Sequence, residues 1–211
     1  MTKKAFSRIR NMSEKYGDAI ELFPPASFKT VLRAENRLTS RLDNQLKAFF
    51  AHSNGARIMD YAFMGCKNAS MADMVENTLS LWAPAIPNIA LNFQGFLKNS
   101  IGENFGLLEN TKDSAGNYAV AFLQAISDAD MLVIASSLNV FLDQFLDFVE
   151  DTLFEDPNAL LIDQEAWALN LSSWLEFDSE LLEMYRSGEL EAYYGNSDQY
   201  RQIVAEALSS S

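Results

Sequence analysis

The chain contains one histidine and one cysteine, two of the side chains most often used in nucleophilic catalysis. His52 is followed directly by Ser53, and adjacent side chains on a helix diverge, so they do not form a nucleophile–base pair. Cys66 stands beside Lys67, whose charge would favour a thiolate, but a small buried residue is the simpler interpretation. A zinc site of about four Cys and His ligands is excluded within one chain.

Paired carboxylates are the remaining catalytic candidates. Asp147, Glu150 and Asp151 share one face of a predicted helix, and Glu180 and Glu183 share a face of another. All-α, Mg²⁺-dependent nucleotide pyrophosphohydrolases hold their cation with Glu-x-x-Glu pairs of this kind, although any acidic helix produces such spacings by chance. Because no Walker, dinucleotide-binding or Ca²⁺-loop motif is present, we predict no catalytic residue, no metal ligand and no cofactor. A Mg²⁺-dependent phosphohydrolase stays as one alternative.

Charge is distributed unevenly along the 211 residues, whose net charge is −13 and whose sequence pI is about 4.4. Residues 1–100 carry 13 Lys and Arg against 8 Asp and Glu, whereas residues 101–211 carry 3 against 21. Such asymmetry concerns partners and association rather than fold. The acidic half would repel a phosphate backbone, so direct nucleic-acid binding is disfavoured.

Two predicted helices, at about 27–53 and 128–155, carry matched charged stripes opposite apolar faces of helical periodicity. In the first helix, basic residues recur at every fourth position: Lys29, Arg33, Arg37 and Arg41. In the second helix, acidic residues recur in the same way: Asp143, Asp147, Asp151 and Glu155. Successive charges in each stripe lie about 6 Å apart along the helix axis.

The simplest interpretation is that both stripes are solvated helix faces. A sharper hypothesis is that they pair between molecules, because each points away from its own core, and such a contact builds rings or filaments. A third is that one stripe meets a different partner. Exposed ion pairs contribute about 0–1 kcal/mol each, so the stripes would set register and encounter rate while apolar contacts supply affinity. We assign the eight residues to partner binding.

One acid of the first helix, Glu35, falls within the apolar face. A carboxylate in that position must find a partner or shift its pKa upward. The two interpretations are a salt-bridged or snorkelling side chain and a functional buried acid.

The predicted fold is all-α, a bundle-like domain of about seven to nine helices. A long loop is expected at 102–117, where glycine and asparagine recur, and a short β-hairpin from about Leu107 to Ala121 is the disfavoured alternative. We divide the chain into a basic N-terminal arm or short helix at 1–25, a main helical domain at 26–162 and an acidic, aromatic C-terminal helical layer at 163–211. The pattern also predicts helices at 57–66 and 89–101.

These patterns favour a non-enzymatic interaction or assembly protein that forms a homo-oligomer or binds another protein. An Asn-rich composition without motifs also suits a structural component of a virus or phage. The alternative is an acidic DNA mimic that inhibits a basic DNA-binding protein, since the C-terminal half combines dense carboxylates with aromatic residues. The longest apolar stretch, Met131 to Leu142, is shorter than the roughly 20 residues that span a bilayer, so we expect no membrane span and a cytoplasmic or virion-associated protein.

Overall fold

A computed structural model describes residues 3–66, 73–82, 92–124, 130–156 and 167–210. Within these ranges the chain forms a seven-stranded antiparallel sheet in which each strand pairs with the next one along the chain. Its strands are β1 (Ile20–Leu22), β2 (Ala56–Ile58), β3 (Tyr61–Phe63), β4 (Phe93–Asn99), β5 (Asn104–Lys112), β6 (Tyr118–Leu123) and β7 (Leu132–Ala135).

Nine α-helices surround this sheet in the described part of the chain. They are α1 (Lys3–Lys15), α2 (Phe28–Leu38), α3 (Asn44–Phe50), α4 (Met74–Leu81), α5 (Leu138–Glu155), α6 (Leu171–Phe177), α7 (Ser179–Arg186), α8 (Glu191–Tyr194) and α9 (Asp198–Ser210). A 3₁₀ turn at Trp167–Leu169 precedes α6.

The prediction of an all-α helical bundle is therefore wrong. Most of the predicted loop at 102–117 is β5, which pairs with both β4 and β6, so the disfavoured hairpin is present. The predicted helices at 57–66 and 89–101 contain the β2–β3 hairpin and β4. The predicted helix at 128–155 likewise contains β7 as well as α5. The physical reason is that β4, β6 and β7 are buried at all or nearly all positions, so they lack the alternation that reveals a half-buried strand.

The predicted helix at 27–53 is broken into α2 and α3. Thr39 ends α2 in the left-handed region, with a φ of 51°, which a β-branched residue seldom adopts. Its N–H and that of Ser40 both donate to the Glu35 carbonyl oxygen. Asp43 then begins α3 as its N-cap. The consequence is that residues 39–43 do not continue the face of α2.

An aromatic layer between the sheet and α5 forms the centre of the core. Ring centroids in this layer lie 5.1–6.3 Å apart, within the range of favourable aromatic pairs. The sheet contributes Tyr61, Phe63, Phe96, Phe105 and Phe122, and α5 contributes Phe141 and Phe145. Trp167 and Trp174 extend the layer towards the C-terminal helices. All but Trp167 are buried.

The opposite sheet face packs against α4. A Cβ on Gly95 would lie 2.6 Å from the Asn77 amide nitrogen of α4, so the missing side chain permits this close approach. The ring of the next residue, Phe96, points to the other face and meets Phe141 of α5 at 5.6 Å. Hence α4 and α5 lie on opposite faces of the sheet.

Other elements cover both outer edges of the sheet. Along β7, the Tyr185 hydroxyl donates to the Val133 carbonyl at 2.7 Å. The N–H of Met131, the residue before β7, donates to the Tyr193 carbonyl at 2.7 Å. Along β1, which packs against α1, the Ser13 hydroxyl donates to the Ile20 carbonyl at 2.9 Å.

Two buried aspartates join helices to strands. Asp43 caps α3 by accepting the Gln45 N–H at 2.6 Å, and its second oxygen accepts the Tyr118 N–H of β6 at 3.0 Å. Asp178 does the same for α7 and the end of β7, accepting the N–H groups of Leu181 and Ser136. Each carboxylate thus satisfies backbone donors of two elements that are distant in sequence.

We expect Asp43→Ala to lower the free energy of unfolding by about 3 kcal/mol, because the buried donors of α3 and β6 lose their acceptor. The matched control is Asp73→Ala, which removes the same kind of cap from α4 together with a long, partly exposed ion pair to Arg37, but no bond to a strand, and should cost about 1 kcal/mol. Urea denaturation of both variants measures the difference. Equal losses would contradict the role assigned to the bond with Tyr118.

Candidate protein-interaction surface

The structure separates the four residues of the basic stripe. Lys29 and Arg33 are exposed on α2. Arg37 forms ion pairs with Glu76 of α4 and with Asp73, the N-cap of that helix, and so helps to hold α2 in place. Arg41 lies in the segment between α2 and α3, off the helix.

The exposed side of α2 also carries apolar side chains. Phe28 is 82% exposed and Leu32 is 43% exposed. At about 100° per residue they form a row one turn long, directly beside Lys29 and Arg33. The buried side of the helix lies elsewhere, at Val31, Ala34 and Leu38. We call Phe28, Lys29, Leu32 and Arg33 the α2 face.

A shallow groove of about 610 Å³ continues this surface towards α3. It is lined by Leu32, Glu35, Asn36, Thr39, Ser40, Arg41 and Lys47. Glu35 accepts the Leu42 N–H at 3.1 Å and pairs with Lys47 at 3.4 Å, so it is a half-buried, salt-bridged residue. Arg41 and Leu32 line the same groove, so Arg41 is a further cation near the α2 face.

The acidic stripe lies along the outer side of α5, and α1 covers part of it. Arg8 of α1 contacts Asp147 at 2.6 Å and Glu150 at 2.7 Å. Its guanidinium also donates to the Asp143 carbonyl at 3.4 Å. A cation that the stripe hypothesis did not include therefore neutralises the middle of the stripe, which interrupts the row of carboxylates that DNA mimicry would need.

The C-terminal end of the stripe is free of such contacts. Asp151 and Glu155 are exposed and, within the described ranges, form no ion pair. Between them Phe154 is 79% exposed, on the outer side of a helix whose other aromatic side chains are buried or half-buried. We call Asp151, Phe154 and Glu155 the α5 face.

The two stripes do not meet within one molecule. The structure pairs Arg37 with α4, and it pairs Asp147 with α1. Among the residues that the structure describes, Lys29 and Arg33 form no ion pair. Pairing of the stripes between molecules stays a prediction.

The nucleophile candidates hold structural positions. Burial raises the pKa of the Cys66 thiol to about 12, which makes it a poor nucleophile near neutral pH. The Ser53 hydroxyl is buried and bonds to the carbonyls of Phe23 and Gly55. The His52 ring stacks on Phe6, with ring centroids 4.5 Å apart.

The carboxylate pairs are also engaged by the protein. Glu180 accepts the Ser114 N–H of the β5–β6 turn, and Glu183 pairs with Arg186 at 3.4 Å. Across the described ranges, no group of three or more His, Cys, Asp and Glu side chains is placed to hold a metal ion.

A different acid, Glu103, has a perturbed environment. It is half-buried at the turn between β4 and β5, where burial above all raises its pKa and the charge of Asp60 raises it further. The Asn99 amide donates to it at 2.6 Å and opposes the shift. Asn99 also contacts the Tyr61 hydroxyl, which accepts a bond from the Trp167 indole at 3.1 Å. Nothing in the sequence pattern distinguishes Glu103, because its burial depends on the sheet.

Most C-terminal aromatic side chains pack inward. Trp174 stacks on Phe141, and Tyr185 and Tyr200 are buried. Phe177, 72% exposed, is the exception among the aromatic residues described after residue 166.

No family model matches the chain, and a search of curated proteins likewise finds no match. No helix within the described ranges has the length and apolar content needed to cross a membrane. Inferences about function therefore depend on the surface itself.

Arg8→Gln should lower the free energy of unfolding by about 1 kcal/mol, because the half-buried guanidinium links α1 to two acids of α5. Arg10→Gln is the matched control on the same helix; it breaks only an exposed pair with Glu14 and should cost less than about 0.5 kcal/mol. Chemical denaturation at low and high salt compares the two variants. Identical stabilities would show that the contact does not hold α1.

The stability contribution of Glu103 should depend on pH. Its pKa is raised in the folded state, so the contribution is complete below the ordinary value of 4.5 and is lost as pH rises through the folded-state pKa. The glutamine in Glu103→Gln cannot ionise. The free energy of unfolding of this variant, relative to that of the wild type, should therefore increase as pH rises from 4.5 towards 7. Unfolding curves across this range measure the difference, and a constant difference would contradict the assignment.

Proposed function

We propose that this protein is a non-enzymatic interaction protein that binds an acidic protein segment through its α2 face. The observation that carries the proposal is the exposure of Phe28, at 82%, beside two exposed cations, Lys29 and Arg33. An exposed aromatic residue next to Arg is the composition typical of binding hot spots.

The apolar and the cationic side chains of this face contribute to protein binding in different ways. Phe28 and Leu32 offer apolar area whose burial favours association. Lys29 and Arg33 add charge that speeds encounter and selects acidic partners. Arg37, one turn beyond Arg33, forms ion pairs with acids at the start of α4 and so helps to hold the helix against the scaffold.

The positions of the chemistry-bearing side chains favour binding over catalysis. Cys66 is buried with a raised pKa, and Ser53 bonds to backbone carbonyls. Glu180 and Glu183 bind groups of the protein itself. Each of these side chains is engaged in contacts within the fold, whereas the side chains of the α2 face are exposed.

Selection from a random peptide library displayed on phage tests the proposal without a known partner. We expect the purified protein to enrich peptides that combine Asp or Glu with an aromatic residue or leucine. Their binding should weaken about tenfold or more in Phe28→Ser and in Arg33→Glu, and should weaken with added salt.

Two matched variants serve as controls. Phe177→Ser removes another exposed aromatic side chain, and Lys15→Glu reverses an exposed cation on α1; both variants should bind the selected peptides like the wild type. Enrichment of peptides without acidic residues, or binding that survives both changes on the α2 face, would refute the proposal.

A further inference from the structure

We infer that the segment bound by the α2 face is the α5 face of a second copy of this chain, so that copies associate head to tail. The inference rests on the proposed binding role of α2 and names its partner. It depends on two surfaces of one chain that match in composition and are opposite in charge.

The two faces are similar in composition and opposite in charge. Each presents an exposed phenylalanine, Phe28 on one and Phe154 on the other. Each has two exposed charges four positions apart, about 6 Å along the axis: Lys29 and Arg33 on α2, and Asp151 and Glu155 on α5. Two helices in contact can therefore bring the two rings together and place charges of opposite sign side by side.

The contact must form between molecules. α2 packs against α4, which lies on the sheet face opposite α5. The charges of the two faces form no ion pairs within the described ranges, whereas the neighbouring stripe residues Arg37 and Asp147 do. The intramolecular contacts thus use one part of each stripe and leave the part beside the exposed ring for a partner.

A contact between two different faces is heterologous, so every copy that binds through α2 still offers its own α5 face. The association therefore continues into rings or open chains. α2 has 11 residues and is about 16 Å long, so the helix contact is smaller than the roughly 800 Å² per partner of a stable interface. We expect weak, reversible association that salt suppresses.

Light scattering and sedimentation measure the molar mass over a range of protein concentrations, at about 50 mM and 500 mM salt. The wild type should grow in mass with concentration at low salt and lose mass at high salt. A head variant, Phe28→Ser with Arg33→Ser, and a tail variant, Asp151→Asn with Phe154→Ser, should each be monomeric. All four side chains are exposed, so urea midpoints near that of the wild type should confirm intact folds.

Mixing the two variants is the decisive measurement. The intact α5 face of the head variant can bind the intact α2 face of the tail variant. The two faces left over in this dimer are both mutated, so it cannot bind a third copy. We therefore expect a dimer in the mixture and no larger species. The Phe177→Ser control should associate like the wild type.

Three results would overturn the inference: a monomeric wild type at high concentration and low salt, a tail variant that associates like the wild type, or a mixture that stays monomeric. If peptide binding maps to the α2 face while any of these holds, the binding role stands and the second copy as partner fails. If the α2 variants leave peptide binding unchanged, the proposed function fails independently of the molar mass.

Discussion

The packing of α5 against the aromatic face of the sheet is the contact on which the rest of the structure depends. Phe141 and Phe145 meet rings from β3, β4 and β5, and Trp167 and Trp174 continue the same layer towards the C-terminal helices. Removing one such ring from a core of this kind costs about 3–5 kcal/mol, a large part of a domain's stability. Because one side of α5 is committed to this layer, its carboxylates must lie on the other side.

That commitment explains how the charges of the chain are used. The outward carboxylates of α5 attract Arg8, which fixes α1 against the helix and thereby covers β1. On α2, Arg37 has the corresponding role towards α4. Charges that look equivalent in a four-residue repeat thus divide into some that hold helices in place and others that face solvent beside an exposed phenylalanine.

Local signals identify some of this architecture. Ser27 stands at the predicted start of the first long helix, and the structure shows it as an N-cap. Asp43 is also an N-cap, but the apolar periodicity continues past it and predicted an unbroken helix there. The strands are harder to predict, because Tyr118–Leu123 and Leu132–Ala135 are apolar throughout and their burial on both faces requires helices from distant parts of the chain. The run Met131–Leu142 merges a strand with the start of a helix. Periodicity places Phe28 and Leu32 on an apolar face, yet only tertiary packing decides that this row stays outside the core.

The covered edges of the sheet have a further consequence. A row of unpaired backbone groups is a template for strand addition, which leads to domain swapping and to fibrils that do not readily dissociate. Here backbone groups at or beside the two outer strands already form hydrogen bonds. Their partners are the hydroxyl groups of Ser13 and Tyr185 and the carbonyl of Tyr193. The proposed contact between copies would therefore be made by side chains, so ionic conditions would change its strength and backbone hydrogen bonds would not lock it.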